Sequence, residues 1–307
     1  MKPRIVVVGS SNTDMIIRLD HIPQPGETIL GGQFLTAAGG KGANQAVGAA
    51  RAGGAVTFVA RVGRDIFGDQ AIQGFKRDGI RVETVFRDPQ LPSGVALIFV
   101  AKDGENSIAV ASGANGALRP GDVRKARAAF RGARMLLMQL EIPLETVTAA
   151  ASMAAMEGVP VILNPAPARA LPDRLLRHIS LLTPNESEAE MLSGIKVTNT
   201  AASARAARKL RQRGVETVIL TLGGRGAFVS SPEGETLVPG FRVKTVDTTA
   251  AGDIFNGALA VGLGEGKPLL EAVRFANAAA ALSVSRMGAQ PSAPRRSEIE
   301  AFLSDGG

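Results

Sequence analysis

The residues Ile5-Val6-Val7-Val8 form a continuous run of apolar, β-branched character that ends at Gly9. Such a run is too short for a helix and too uninterrupted for a strand with one face in water, so it predicts a strand buried on both faces. Comparable stretches recur at 55–60, 135–139, 160–164, 181–183 and 217–221. Between them lie Ala-rich segments whose apolar residues repeat every three to four positions, predicting helices over 43–51, 69–78, 145–156 and 201–213. Buried strands joined by helices imply an α/β, doubly wound, mostly parallel central sheet with helices on both faces.

Two segments interrupt this rhythm. Residues 15–35 place Ile16-Ile17-Arg18-Leu19 and Thr28-Ile29-Leu30 around the turn-rich Pro23-Gln24-Pro25-Gly26, and residues 95–110 read as two strands around Asp103-Gly104-Glu105-Asn106. Both are hairpin material, predicting a small β flap over one edge of the main sheet. No Pro- or Ser-rich linker and no fixed-period repeat divides the chain, so a single domain over residues 1–307 is expected.

Composition narrows the chemistry. With 45% hydrophobic and 21% charged residues, the chain can bury a sizeable core. Cysteine, tryptophan and tyrosine are absent, which excludes disulfides, thiolate metal sites, a Cys nucleophile and tyrosine stacking platforms. The two histidines, His21 and His178, are too few for a three-histidine zinc site and receive no role. Lys and Arg number 35 against 28 acids, a net charge of +7 that suits an anionic ligand such as a phosphorylated molecule or nucleic acid. The arginines 124, 127, 131 and 134 are spaced to share one helix face opposite Val123, Ala126 and Phe130, the pattern of a solvated face. No nucleic-acid motif is evident. No run reaches the roughly 18 apolar residues of a membrane span, and the apolar start is too short for a signal peptide, so a cytoplasmic protein is expected.

Candidate chemistry gathers at strand exits. In Asp247-Thr248-Thr249-Ala250-Ala251-Gly252-Asp253 a short strand is expected to end at Asp247, and Ile254, Ala258 and Val261 then follow at helical spacing. The small residues leave the amides of the helix start bare, a receptor for an anion such as phosphate. Asp253 reads equally well as an N-cap carboxylate or as a base beside a transferring phosphoryl group. The turn Ala37-Ala38-Gly39-Gly40-Lys41-Gly42-Ala43-Asn44 is neither a Walker loop nor a dinucleotide fingerprint. It reads either as a Gly-rich helix start or as a holder of hydroxyls, with Lys41 and Asn44 at the exposed beginning of a helix. Ser10 to Asp14, Thr183 to Glu188 and Thr221 to Gly226 follow other strands, and polar strand exits in one doubly wound sheet point to a common crevice.

Taken together, Gly39-Gly40-Lys41-Gly42-Ala43-Asn44-Gln45-Ala46, Gln139-Leu140-Glu141, Asn164-Pro165-Ala166-Pro167-Ala168, Thr183-Pro184-Asn185-Glu186, the segment 247–253 and Gly288-Ala289-Gln290-Pro291-Ser292 resemble the ribokinase family of carbohydrate kinases, over nearly the whole chain. The resemblance implies ATP-dependent phosphorylation of the ribose 5-hydroxyl; sibling activities on 2-deoxyribose, a ketohexose or a nucleoside share its machinery. By the same resemblance Asp253 is the catalytic base, and the amides of Ala250, Ala251, Gly252 and Asp253 form the anion hole. Asn12, Asp14, Gly40, Lys41, Asn44 and Glu141 contact the sugar. Asn185, Thr221, Gly223, Gly224, Arg225, Gly226, Gly252 and Asn277 contact the nucleotide. Glu188 serves magnesium through water, and Asp247, Thr249, Ser283, Gly288 and Ser292 hold potassium. The flap, at about 12–36 and 94–112, matches a lid that closes on sugar and pairs two subunits into a homodimer. Thr249, Met287 and Asn277 depart from residues common in the family. A non-catalytic, sugar-sensing nucleic-acid-binding protein is the alternative from another class.

Overall fold

The computed structural model describes residues 2–306. Arg4–Val8 (β1) is followed by Asn12–Arg18 (β2) and Gln33–Gly39 (β3). Ala55–Gly63 (β4), Val85–Asp88 (β5), Gly94–Val100 (β6) and Asn106–Ala111 (β7) come next. Met135–Met138 (β8), Val161–Leu163 (β9) and Leu181–Leu182 (β10) are short, and Thr217–Thr221 (β11), Ala227–Ser231 (β12) and Gly234–Val238 (β13) end the series.

Nine of these strands form one sheet in the order β13-β12-β11-β10-β9-β8-β1-β4-β5, parallel except where β12 and β13 return as antiparallel hairpin partners. Its alternate residues enter two different cores. Val6, Val8, Leu136 and Met138 pack on one side with Phe130, Val147 and Leu176; Ile5, Val7, Met135 and Leu137 pack on the other with Phe58, Ile254 and Phe275. Both sides of β1 and β8 are thus shielded from water, as their unbroken apolar runs require. Helices Lys41–Arg51, Ala251–Gly264 and Leu269–Val284 cover the second side.

The remaining strands form a separate sheet in the order β3-β2-β6-β7, two hairpins joined by the parallel pair β2 and β6. It falls where the flap was expected. Thr28-Ile29-Leu30 is not one of its strands: the partner of β2 begins at Gln33, opposite Arg18, and Leu30 lies 92% exposed in the connecting loop. Residues 243–247 are also not a strand; the amides of Val246 and Asp247 both donate to the Val284 carbonyl at the end of a helix. The stretch bearing Arg124, Arg127, Arg131 and Arg134 breaks into two short helices, Pro120–Lys125 and Arg127–Phe130. All four arginines are nonetheless exposed and Val123, Ala126 and Phe130 buried, as a solvated face requires.

Candidate active site

The helix Ala251–Gly264 starts without a side-chain cap. Ala250, just before it, sits at φ +60°, the left-handed conformation that alanine adopts at a cost of roughly 1–2 kcal/mol. The Ala251 amide donates to Thr248 O at 3.2 Å, whereas the amides of Ala250, Gly252 and Asp253 have no protein acceptor among the described residues. Free N–H groups at the positive end of a 14-residue helix make an anion site.

Asp253 does not cap this helix. Its carboxylate, 5% exposed, accepts from Asn44 Nδ2 at 3.1 Å on Oδ2 and from Gln45 Nε2 at 3.0 Å on Oδ1. The N-cap reading of Asp253 is therefore set aside, because both oxygens are spent on side chains of another helix. Asn44 is buried too, not exposed as expected, because its helix is covered over most of its circumference.

The residues expected to contact sugar converge beside it. Gly40 precedes the helix Lys41–Arg51 with φ +87°, and the Lys41 amide donates to Glu141 Oε2, which also accepts from Ser10 Oγ at 2.6 Å. Asp14 rises from β2 so close to the same turn that a Cβ on Gly39 would fall 2.2 Å from its carboxylate. Asn12 starts β2, and its Oδ1 accepts from the buried Asn115 at 2.7 Å. Burial, with Glu141 and Asp253 nearby, pushes the Asp14 carboxyl up to about 6. Burial likewise raises Asp253 and Glu188, opposed at both by the Lys41 ammonium. Burial pulls Lys41 down, but Asp253, Glu141 and Glu188 more than offset it, and the lysine is held charged.

Two cavities meet at the helix start. The larger, about 760 Å³, is lined by Asn185, Thr221, Gly223, Gly224 and Gly226, with Phe255, Ala280, Val284 and Asn277 as further wall. Asn277 spends its amide hydrogens on Val238 and Pro239 carbonyls. Arg225 does not line the cavity; it is ion-paired with Glu186. The smaller, about 210 Å³, is lined by Lys41, Glu188, Ala250 and Asp253, and shares Asn185, Thr221, Thr248, Ala251 and Gly252 with its neighbour. Glu188 accepts from the Asn185 amide at 2.9 Å and from its side chain at 3.1 Å. A long cleft opening through a shared wall onto a charged chamber suits a nucleotide whose terminal phosphate reaches an acceptor.

Beyond the chamber, the Asp247 carboxylate accepts from the amide and hydroxyl of Thr249 and from the Gly288 amide. Burial raises this carboxyl, but those hydrogen bonds hold it below the usual range. Ser283 and Ser292 direct their hydroxyls to Ala280 and Ala289 carbonyls.

Residues without an expected role complete the site. Gln45, Gln139, Asn164, Asn115 and Gln290 are buried and bonded to one another or to the residues above. Gln45, Gln139, Asn164 and Gln290 lie within the stretches that carry the family resemblance, but pairings across some 100 residues leave no local signal.

A sequence model of the pfkB family of carbohydrate kinases matches residues 2–296. The chain belongs to the pfkB family. It is similar to the ribokinase of Haemophilus influenzae, 46% identical with 99% of each chain covered. The deoxyribokinase of Salmonella typhimurium is 38% identical with 98% of each chain covered. Among solved structures, Arabidopsis thaliana ribokinase complexed with ribose and ATP superposes with a TM-score of 0.92 at 35% identity, covering 99% of each chain. Within the pfkB family this chain is accordingly a sugar kinase, with the mostly parallel sheet and small accessory sheet of its ribokinase neighbours.

Proposed function

We propose that the protein transfers the γ-phosphoryl group of ATP to the 5-hydroxyl of D-ribose, giving ribose 5-phosphate and ADP. The observation that carries this reading is the start of the helix Ala251–Gly264. That one turn bears a buried carboxylate and unpaired amides, and it forms the wall common to the nucleotide-sized cleft and the chamber holding Lys41. ATP lies in the large cleft with its base against Phe255, Ala280 and Val284. Sugar hydroxyls are received by Asn12, Asp14, Asn44 and Glu141. Asp253 takes the proton of the 5-hydroxyl as its oxygen attacks the γ-phosphorus and the bond to ADP breaks. The amides of Gly252 and Asp253, with Lys41, meet the negative charge spread over the transferring group. The raised basicity of a buried Asp253 favours proton uptake at neutral pH.

Two cations accompany this reading. No three His, Cys, Asp or Glu side chains gather at one point among the described residues, so magnesium has no protein cage there. Glu188, an all-oxygen ligand in the chamber, suits a hydrated magnesium arriving with ATP. Asp247 with the carbonyls of Thr249 and Gly288, which accept no hydrogen bond among the described residues, offers the hard oxygen donors that potassium takes, alongside Ser283 and Ser292. Bound potassium supplies fixed positive charge that stiffens the turn before Ala250.

The small sheet is read as a lid and as the contact of a homodimer with a second copy of this chain. Rows on the Asp14 face (Leu35, Ile16, Ile98, Ile108) and on the opposite face (Phe34, Ile17, Phe99, next to Met15 and Leu97) are both apolar. A single substrate site can cover only one of them. The reading includes neither nucleic acid nor membrane as partner. Exposed Arg127 and Arg208 are engaged by Glu157 and Glu235, and no described helix is long and apolar enough to cross a membrane. An ATP-consuming step of this kind belongs in the cytoplasm.

The deoxyribokinase relative favours 2-deoxyribose as the second reading. Coupled ADP detection over ribose, deoxyribose, fructose and adenosine separates them, with ribose expected to give the highest kcat/KM. Asp253→Asn is expected to retain the fold and ATP binding while kcat falls on the order of 10²- to 10⁴-fold. A near-normal rate in that variant overturns the assignment of the base.

A further inference from the structure

Between the main sheet and the helix that carries Lys41 and Asn44 lies a chain of buried carboxamides that no binding role accounts for. Gln45 Nε2 donates to Asp253 Oδ1 at 3.0 Å and to Asn164 Oδ1 at 3.1 Å, so its amino group is fully committed. Gln45 Oε1 in turn accepts from Gln139 Nε2 at 2.6 Å. Both glutamines are 0% exposed. We infer that Gln45 and Gln139 are positioning residues for phosphoryl transfer: Gln139 fixes which way the Gln45 carboxamide faces, and Gln45 then holds one oxygen of Asp253. This inference rests on Asp253 being the base.

The reason lies in the symmetry of a carboxamide. Rotated by half a turn, Gln45 would set its oxygen against the Asp253 carboxylate and the Asn164 carbonyl, bringing three acceptors together. The Asp253 carboxylate and the Asn164 oxygen oppose that rotation, the latter held facing Gln45 because the Asn164 amide donates to the Thr183 carbonyl. From the other side, the amino group of Gln139 gives the Gln45 oxygen its donor, which rotation would take away. The fold gives something up to place it there. Gln139 Oε1 is buried without a partner among the described residues. It also lies where a Cβ on Gly9, at the end of β1, would come within 2.1 Å, so the strand exit has to be glycine to admit it. The other carboxylate oxygen is served in parallel: Asn44 Nδ2 donates to Asp253 Oδ2, and Gln290 Nε2 donates to Asn44 Oδ1 at 3.3 Å. Each oxygen of the base is thus held by an amide that is itself oriented by a glutamine. The charged groups facing Asp253 are Lys41 from its own helix start, Glu141 after β8, Asp14 from β2 and Glu188 across the chamber. None of these contacts Gln45 or Gln139 through a hydrogen bond among the described residues.

The test compares Gln139→Met with Gln139→Glu and Asp253→Asn, measuring kcat, both KM values and the pH dependence of kcat with ribose and MgATP. Methionine keeps the length of the side chain and adds no charge to bury, but removes the donor. For Gln139→Met the expected result is a kcat lower by about 10-fold with both KM values within about twofold of the parent. In Gln139→Glu an ionised carboxylate turns Gln45 around, and the expected loss is on the order of 100-fold, with the acidic limb of the kcat profile moved to higher pH. Values of kcat within about twofold of the parent in Gln139→Met, while Asp253→Asn is inactive, overturn the inference. So does a loss shared equally between kcat and KM in Gln139→Met, the mark of a generally loosened structure. An Asp253→Asn variant that retains its rate instead overturns the reading of the base.

Discussion

In the proposed function, Asp14 is the side chain through which sugar binding responds to pH. Its carboxyl titrates near 6 because it is buried beside Glu141 and Asp253. A carboxylate accepts from two sugar hydroxyls, whereas the acid gives up one acceptor. The sugar KM is therefore expected to rise as pH falls through about 6, and in Asp14→Asn this dependence should flatten while KM is raised throughout. Stability follows the opposite sense. A folded-state pKa above the unfolded value of 3.8 means that the native state binds the extra proton, so this group's contribution falls as pH climbs from about 4 to 6. Asp14→Asn should accordingly be the more stable protein at pH 8, by about 2 kcal/mol after allowance for partial exposure, and should lose that advantage near pH 4. Urea denaturation at the two pH values measures it.

At the scale of elements, the start of the helix Ala251–Gly264 depends on one alanine held in a left-handed conformation. Ala250→Gly should stabilise the protein by less than about 1 kcal/mol, since relief of strain is partly offset by a more flexible unfolded chain. Ala250→Val should destabilise it by more than about 1 kcal/mol, because a β-branched residue fits that conformation worst. Midpoints of denaturant unfolding decide both. The same helix shows what the chain pattern could and could not reveal. The buried strands β1, β4, β8 and β11 were legible because a sheet covered on both faces must be continuously apolar. The turn 247–253 was legible because small residues before a helix leave amides bare. Thr28-Ile29-Leu30 looked like a strand by composition, yet pairing register placed its counterpart five residues later, at Gln33. The β-branched Val243, Thr245 and Val246 read as a strand, yet Val243 and Thr245 line the larger cavity and no described strand pairs with the segment. That Asp253 does not cap its helix follows from its bonds to Asn44 and Gln45, about 210 residues earlier, which no local pattern reports.

Across the whole molecule, distant parts depend on each other. The Asp247 carboxylate joins the turn before Ala250 to the loop containing Gly288. Potassium in place of sodium should raise kcat/KM severalfold, and Asp247→Asn should remove that activation while nucleotide still binds, as read by titration of ATP in each salt. In the small sheet, Phe34 and Leu97 are 61% and 46% exposed on adjacent rows of the face turned from Asp14. Replacing both with glutamate should convert the proposed dimer to a monomer in sedimentation velocity without unfolding the nine-stranded sheet. Because the strand that bears Asn12 and Asp14 belongs to the small sheet, whatever steadies that sheet also steadies the sugar contacts proposed for them. With the small sheet as the proposed dimer contact, dilution should act like a mild inhibitor: activity per milligram declines as protein concentration falls, and added ribose restores it by favouring the paired form.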